Sequence, residues 1–375
     1  MKNPQILDIY SDFCLTSFSA VTATGLSKLI DEGYSHDQIS RFLSQKEFTQ
    51  KDFWKIVKRL IRKIEHGNGI LSIDDTISEK PHSTENEMIC YHWDHSKNRS
   101  IKGINLLNFA YHSTTAQGEE ITLPVAYEII KKTETYFDPK KQKIKRRSPI
   151  TKNEMVRQRL HVLTNKNKVK YRYIVWDTWF SSKENLDFVH YDLKKVFVAA
   201  LKSNRKVALS EQDKKQGKYQ KAEQLDFQSN CPKLVWLKGL DFPVHIIKRV
   251  FTNKDGSQGE LFLICNDLNL TVLDLIAIYE KRWGVEVFHK SLKQNAGLSK
   301  SPTKYEVTQS NHIFASMIAY CKLEVLKIKE KKNHFAIKAQ LYLKALKAAY
   351  QELLELKSPK LMIDQAQGQA TLLLG

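Results

Sequence analysis

The chain has 375 residues, longer than one ordinary domain and shorter than three, so two units with room for an insertion are expected. Hydrophobic residues make up 42% and charged residues 27%, with only 14 Gly and 9 Pro, which excludes collagen-like and low-complexity architectures. Lys and Arg number 60 against 41 Asp and Glu, and the resulting net charge of +19 suits a polyanionic partner, nucleic acid before membrane. Five scattered cysteines (Cys14, Cys90, Cys231, Cys265, Cys321) form no C-x-x-C pair and suit a reducing compartment. No signal-peptide core follows Lys2, and no run approaches the ~18 apolar residues of a membrane span, so a cytoplasmic location is expected.

Residues 1–69 read as helical. Phe53, Ile56, Val57, Leu60, Ile61 and Ile64 recur at three and four, with Lys55, Lys58, Arg59, Arg62 and Lys63 between them. Ser35 with Gln38 three residues on predicts a capped helix start. Such a unit is either a DNA-contacting domain or a bundle with a solvated basic face. His66-Gly67-Asn68-Gly69 ends it. Three β-rich runs follow, ILSIDDT, GINLLNFAYHST and ITLPVAYEII. A basic stretch, Lys140 to Arg147, reads as a solvated loop or a DNA track, and the helix NEMVRQRLHVL comes next. A strand (YRYIVWDTWF), a helix opening at Ser181-Ser182 and a strand (VFVAALK) complete an order that suits an RNase-H-like mixed sheet among other α/β options. Residues 206–265 read as a β-rich insertion with strands KLVWLKGL, VHIIKRVF and GELFLICN and a turn at Asn253-Lys254-Asp255-Gly256. One long helix, LDLIAIYEKRWGVEVFHKSLKQ, a helix near 308–328 and a C-terminal helix, KAQLYLKALKAAYQELLEL, follow, with a poorly ordered tail expected after Pro359. The expected fold is mixed α/β: a helical domain (1–69), an RNase-H-like core (70–205 and 266–330) interrupted by the insertion (206–265), and a C-terminal helix and tail (331–375).

On that long helix, with Tyr279 at 0° and about 100° per residue, Arg282, Glu286, Lys290 and Lys293 fall within about 60° of it. A carboxylate flanked by cations suits a metal ligand among phosphate-binding groups, and the same spacing suits a solvated face laced with ion pairs. Asp75 ends a run with Leu71 and Ile73 on its face, and Asp177 ends one with Tyr173 and Val175. Acids closing apolar strands are costly unless paired or bound to a cation, and two Asp with one Glu are the hard ligands Mg²⁺ takes. Cys90, His92 and His95 lack a fourth ligand at zinc spacing. Trp236, between Val235 and Leu237, reads either as core or as a base-stacking side chain.

Tyr279-x2-Arg282-x3-Glu286-x6-Lys293 resembles the Y-(2)-R-(3)-E-(6)-K signature of bacterial insertion-sequence DDE transposases. IDDT (Ile73 to Thr76) and VWDTWF (Val175 to Phe180) resemble that group's two Asp boxes. The resemblance covers roughly residues 70–325. It implies Asp75, Asp177 and Glu286 as the catalytic, metal-binding triad, with only the resemblance choosing Asp75 over Asp74. It further implies two Mg²⁺ ions, with Mn²⁺ able to substitute, and Tyr279, Arg282 and Lys293 on DNA-end phosphates. Lys290, Lys202, Arg205 and Trp236 are further DNA-binding candidates. The implied activity is hydrolysis at the ends of the element, followed by strand transfer into target DNA. The implied partners are double-stranded DNA bearing terminal inverted repeats and a second subunit in a homodimeric synapse, in a bacterial, nucleoid-associated setting. A metal-dependent nuclease or resolvase on the same fold, or a catalytically inactive DNA-binding derivative, are the alternatives.

Overall fold

The computed structural model describes residues 3–94, 97–139, 142–227, 231–253 and 255–356. His95, Lys140, Lys141, Lys254 and the tail expected after Pro359 lie outside the described residues.

Four helices lead: α1 (Pro4–Thr16), α2 (Ala23–Leu29), α3 (His36–Gln45) and α4 (Gln50–Ile64). The Ser35–Gln38 capping box opens α3, and Thr49 with Asp52 opens α4 in the same way. Phe53, Val57 and Ile61 are buried, while Lys55, Lys58, Arg59, Arg62 and Lys63 stay exposed, so α4 is amphipathic as its spacing requires. The buried side chains of all four helices join one hydrophobic core with the sheet.

The strands are β1 (Ile70–Glu79), β2 (Cys90–Asp94), β3 (Arg99–Thr114), β4 (Glu120–Ile129), β5 (Glu134–Asp138) and β6 (Lys143–Arg147). Next come α5 (Lys152–His161), β7 (Tyr173–Trp176), α6 (Lys183–Asp187), β8 (Val196–Leu201), β9 (Lys206–Ala208), α7 (Glu211–Lys215) and β10 (Gln220–Lys221). The chain closes with β11 (Lys233–Leu237), β12 (Val244–Thr252), β13 (Gln258–Cys265), α8 (Val272–Glu280), α9 (Trp283–Gln294), α10 (Glu306–Glu330) and α11 (His334–Leu356).

One large mixed sheet runs β10-β9-β11-β12-β13-β8-β7-β1-β3-β2, with β4 also paired to β3. Within it, β4-β3-β1 are antiparallel and β1-β7-β8 parallel. That arrangement is consistent with an RNase-H-like domain.

Three elements differ from their sequence reading. The strands of the 206–265 region continue the main sheet, since β13 pairs antiparallel with β8. The basic run is no simple loop: Lys143–Arg147 pairs with Glu134–Asp138, where Lys145 meets Asp138 and Arg147 meets Glu134, so opposite charges face each other across the strands. The long helix is two helices. Between Ile278 and Val285 the backbone closes i→i+3 bonds (Lys281 to Ile278, Arg282 to Tyr279, Gly284 to Lys281, Val285 to Arg282), a tightened turn that separates α8 from α9.

Candidate active site

The β1–β7 register sets the site. Parallel pairing aligns Ile70 with Tyr173 and Ile73 with Trp176. One residue further, Asp74 comes level with Asp177. Aligned residues of parallel strands project to the same side, so Asp74 and Asp177 share a face with Ser72 and Val175, and Asp75 projects to the other with Leu71 and Ile73. The packing agrees. Val175 and Val198 pack against Leu275 and Tyr279 of α8, whereas Leu71, Ile73 and Trp176 belong to the main core. Asp75 also lies within β1, not at its end. It accepts hydrogen bonds from Asn105 Nδ2 at 2.9 Å and, as an ion pair, from Lys152 Nζ of α5 at 2.7 Å.

The Asp74 face is covered by α8 and α9. Gly284 permits the close approach, because a Cβ there would stand 2.6 Å from the His112 ring of β3. Asn108 Nδ2 lies 3.0 Å from His289 Nε2, tying α9 to β3 one turn further on. Arg282 sits at the junction, its Nη1 3.8 Å from Asp74 Oδ2 and its Nη2 2.9 Å from Glu286 Oε1. Its guanidinium carbon is 5.7 Å from the Tyr279 ring centre and 5.4 Å from that of Trp283.

Burial pushes the Asp74 carboxyl up to about 7, aided by the neighbouring charges of Asp177 and Asp75 and opposed by Arg282. Burial also raises Asp177, while a hydrogen bond from the Trp179 amide (2.9 Å to Oδ1) and Arg282 pull it down. The charge of Asp177 opposes ionisation of Asp74, and paired hard carboxylates of this kind are chemically suited to a divalent cation. Among the described residues, however, no three His, Cys, Asp or Glu side chains lie together closely enough to hold one. The counter-charge is supplied instead by Arg282 and, at Asp75, by Lys152. Arg282 Nε is buried without a partner, so this guanidinium has an unused donor.

The remaining anticipated side chains disperse. Tyr279 is buried against Val175 and Val198. Lys293 is largely desolvated, which lowers its pKa, and it faces Asp94 and Glu79. Lys290 leaves the stripe to lie over Phe335, 5.0 Å from the ring centre. Arg205 donates to the Ser181 carbonyl at 3.2 Å, which sets the Lys202–Arg205 turn beside the loop that follows Asp177. Trp236 is half-buried on β11, opposite Ala208. The sequence reading passed over Lys152 and Asn105. The helix NEMVRQRLHVL was expected, but nothing local ties Lys152, at its start, to an acid 77 residues earlier.

A family model described as DDE superfamily endonuclease matches residues 5–226, more than half of the chain, and one described as transposase DDE domain matches residues 143–322. No curated protein matches the chain.

Proposed function

Since this chain belongs to the DDE superfamily of endonucleases and is a DDE-type transposase, we propose that it hydrolyses a phosphodiester at the ends of its element and joins the freed 3′-hydroxyl to target DNA. The observation that carries the site assignment is the shared face of Asp74 and Asp177 beneath Arg282 and Glu286. On this reading Asp74 takes the place that the family motif gives to Asp75, with Asp177 and Glu286 as its companions. Asp75 then holds α5 to the sheet through Lys152.

A divalent ion of the Mg²⁺ type, when bound, supplies the Lewis acidity that activates a water and steadies the leaving oxygen. The protein's own part is electrostatic. The guanidinium that now spans Asp74 and Glu286 passes to a backbone phosphate of the DNA end, for which its unused Nε–H and planar fork are suited. Its departure leaves three acids without their resident counter-charge, so phosphate capture and cation capture favour one another. Water oxygen bonds to phosphorus as the bond to the 3′-oxygen breaks, leaving a 3′-hydroxyl and a 5′-phosphate. The 3′-hydroxyl then attacks a target phosphodiester in the same manner.

The exposed basic ridge of α4 is assigned to reading the terminal repeats, and the 206–265 strands with Lys202, Arg205 and Trp236 to holding flanking DNA. Tyr279 and Lys293 keep the phosphate-holding role that the family motif implies for them. Two subunits would join the two ends. The test is incubation of purified protein and Mg²⁺ with duplexes carrying the inverted repeats that flank its gene, together with a supercoiled target. Cut ends joined to the target support transposition, whereas nicks that never join make the chain a nuclease.

A further inference from the structure

Gly284, at the tightened turn between α8 and α9, lies directly on the ring of His112. That histidine pairs with Ile70 of β1, so it projects from the sheet face that also carries Ser72 and Asp74. Its Nε2 meets the Ser72 hydroxyl, and its Nδ1 lies 3.0 Å from the Thr122 hydroxyl of β4. A neutral imidazole has one N–H and one lone pair, and a hydroxyl can serve either, so both ring nitrogens are satisfied and the tilt of the ring is fixed. Burial keeps the ring neutral by pushing its pKa down to about 4. Thr122 is held in turn, since its amide donates to Glu324 Oε2 of α10 at 3.2 Å, where Lys327 Nζ stands 2.8 Å away.

The ring also supports the turn. A Cβ on Gly284 would fall 2.6 Å from His112 Cε1 and 2.8 Å from Nδ1, with Thr122 Oγ1 at 3.3 Å, so only a residue without one fits. Gly284 is two residues from Arg282 and two from Glu286. Ser72 is two residues, about 7 Å, from Asp74 along β1. One ring therefore separates the strand that carries Asp74 from the turn that carries Arg282 and Glu286. A phenyl ring would fill this space without burying polar atoms. What the imidazole adds is a pair of bonds that hold its tilt, and with it the height of the turn.

We propose that His112 is a positioning residue for DNA cutting: locked between Ser72 and Thr122, it sets the gap between Asp74 and Glu286. The role rests on the reading of those acids as the cutting site.

A cavity of about 590 Å³ supplies the experiment. His112, Thr122 and Gly284 line it together with Trp283 and Val287, which are exposed, so it is open to solvent. In His112→Gly the missing ring opens into this cavity, and free imidazole can refill the seat. Hydrogen exchange of the 281–289 amides in the full chain, with EDTA and without DNA, reads the seat itself. In His112→Gly it should quicken at least about tenfold and slow again with imidazole. Single-turnover cutting of a duplex bearing the flanking repeats, at saturating DNA, should fall at least about tenfold and recover with imidazole. The dissociation constant of that duplex, measured in EDTA, should stay within about twofold of wild type. His112→Phe keeps a ring but bonds neither hydroxyl, so it should fold, cut slowly and ignore imidazole. Unchanged exchange in His112→Gly would overturn the proposal. So would wild-type cutting by His112→Phe, loss of end binding in step with cutting, or imidazole that restores exchange and not cutting. Normal cutting by Asp74→Asn, with the exchange results intact, would instead remove the acid-site reading and leave His112 as a support of the turn alone.

Discussion

Asp74→Asn separates the two aspartates of the IDDT segment by stability as well as by activity. In the fold the Asp74 carboxyl keeps its proton up to about 7, against an ordinary value of 3.8. At 1.36 kcal/mol per pH unit, holding it ionised above pH 7 costs about 4 kcal/mol. The side chain is only 19% exposed, so solvent screening removes little of that. The amide keeps the shape and drops the charge, but it also gives up the 3.8 Å contact with Arg282, leaving a net gain of about 2–3 kcal/mol at pH 8. The sign follows from proton binding. Between about 4 and 7 the folded chain holds this proton and the unfolded chain does not, so wild-type stability falls as pH rises through that window and stays level above it. Buried His112, His289 and His312, pushed down to about 4, 3 and 4, tilt stability the other way, so the informative quantity is the difference between variant and wild type at each pH. Urea unfolding with EDTA, followed by tryptophan fluorescence at pH 5, 6.5 and 8, should give a stabilisation near zero at pH 5 and largest at pH 8. The same variant should lose DNA cutting. A variant that is destabilised at pH 8, or whose advantage ignores pH, refutes the placement of Asp74 beside Asp177.

Asp75→Asn should do the opposite, costing about 1–3 kcal/mol by breaking the 2.7 Å pair with Lys152 while retaining measurable cutting; a double-mutant cycle with Lys152→Met in urea checks that the loss is shared. Gly284→Ala should push α9 away from His112 and lower Tm by several degrees, with Glu286 displaced and cutting reduced; an unchanged Tm would mean the helix yields freely. Arg282→Ala should weaken binding of a DNA end, reduce the slope of log K against log salt by about one, and lower cutting by more than binding. Lys290→Ala, whose ammonium lies over Phe335, should leave both nearly unchanged. Fluorescence anisotropy at 50–200 mM salt and single-turnover cutting distinguish these outcomes.

Much of this architecture was legible in local chemistry. β-rich runs gave β1, β3, β4, β7 and β8, three-and-four spacing gave α4, and Ser35 with Gln38 marked the start of α3, because side-chain periodicity and capping act within a few residues. The acids and the Tyr279–Lys293 spacing likewise marked the region where cations and phosphates meet. What no local rule fixed was which acid faces which. A one-residue change of register moves a strand's whole side-chain set to the other side, and the β1–β7 register is set by β3, β8 and the helices packed on both faces. Only that pairing put Asp74 level with Asp177 and turned Asp75 toward Lys152. Uniform helical periodicity also hid the tightened turn at Lys281–Arg282, since a change from i→i+4 to i→i+3 bonding keeps the hydrophobic spacing nearly intact while swinging Arg282 between Asp74 and Glu286. The basic run at 143–147 looked free because its acidic partners, Glu134 and Asp138, become neighbours only when the chain folds back on itself as a hairpin.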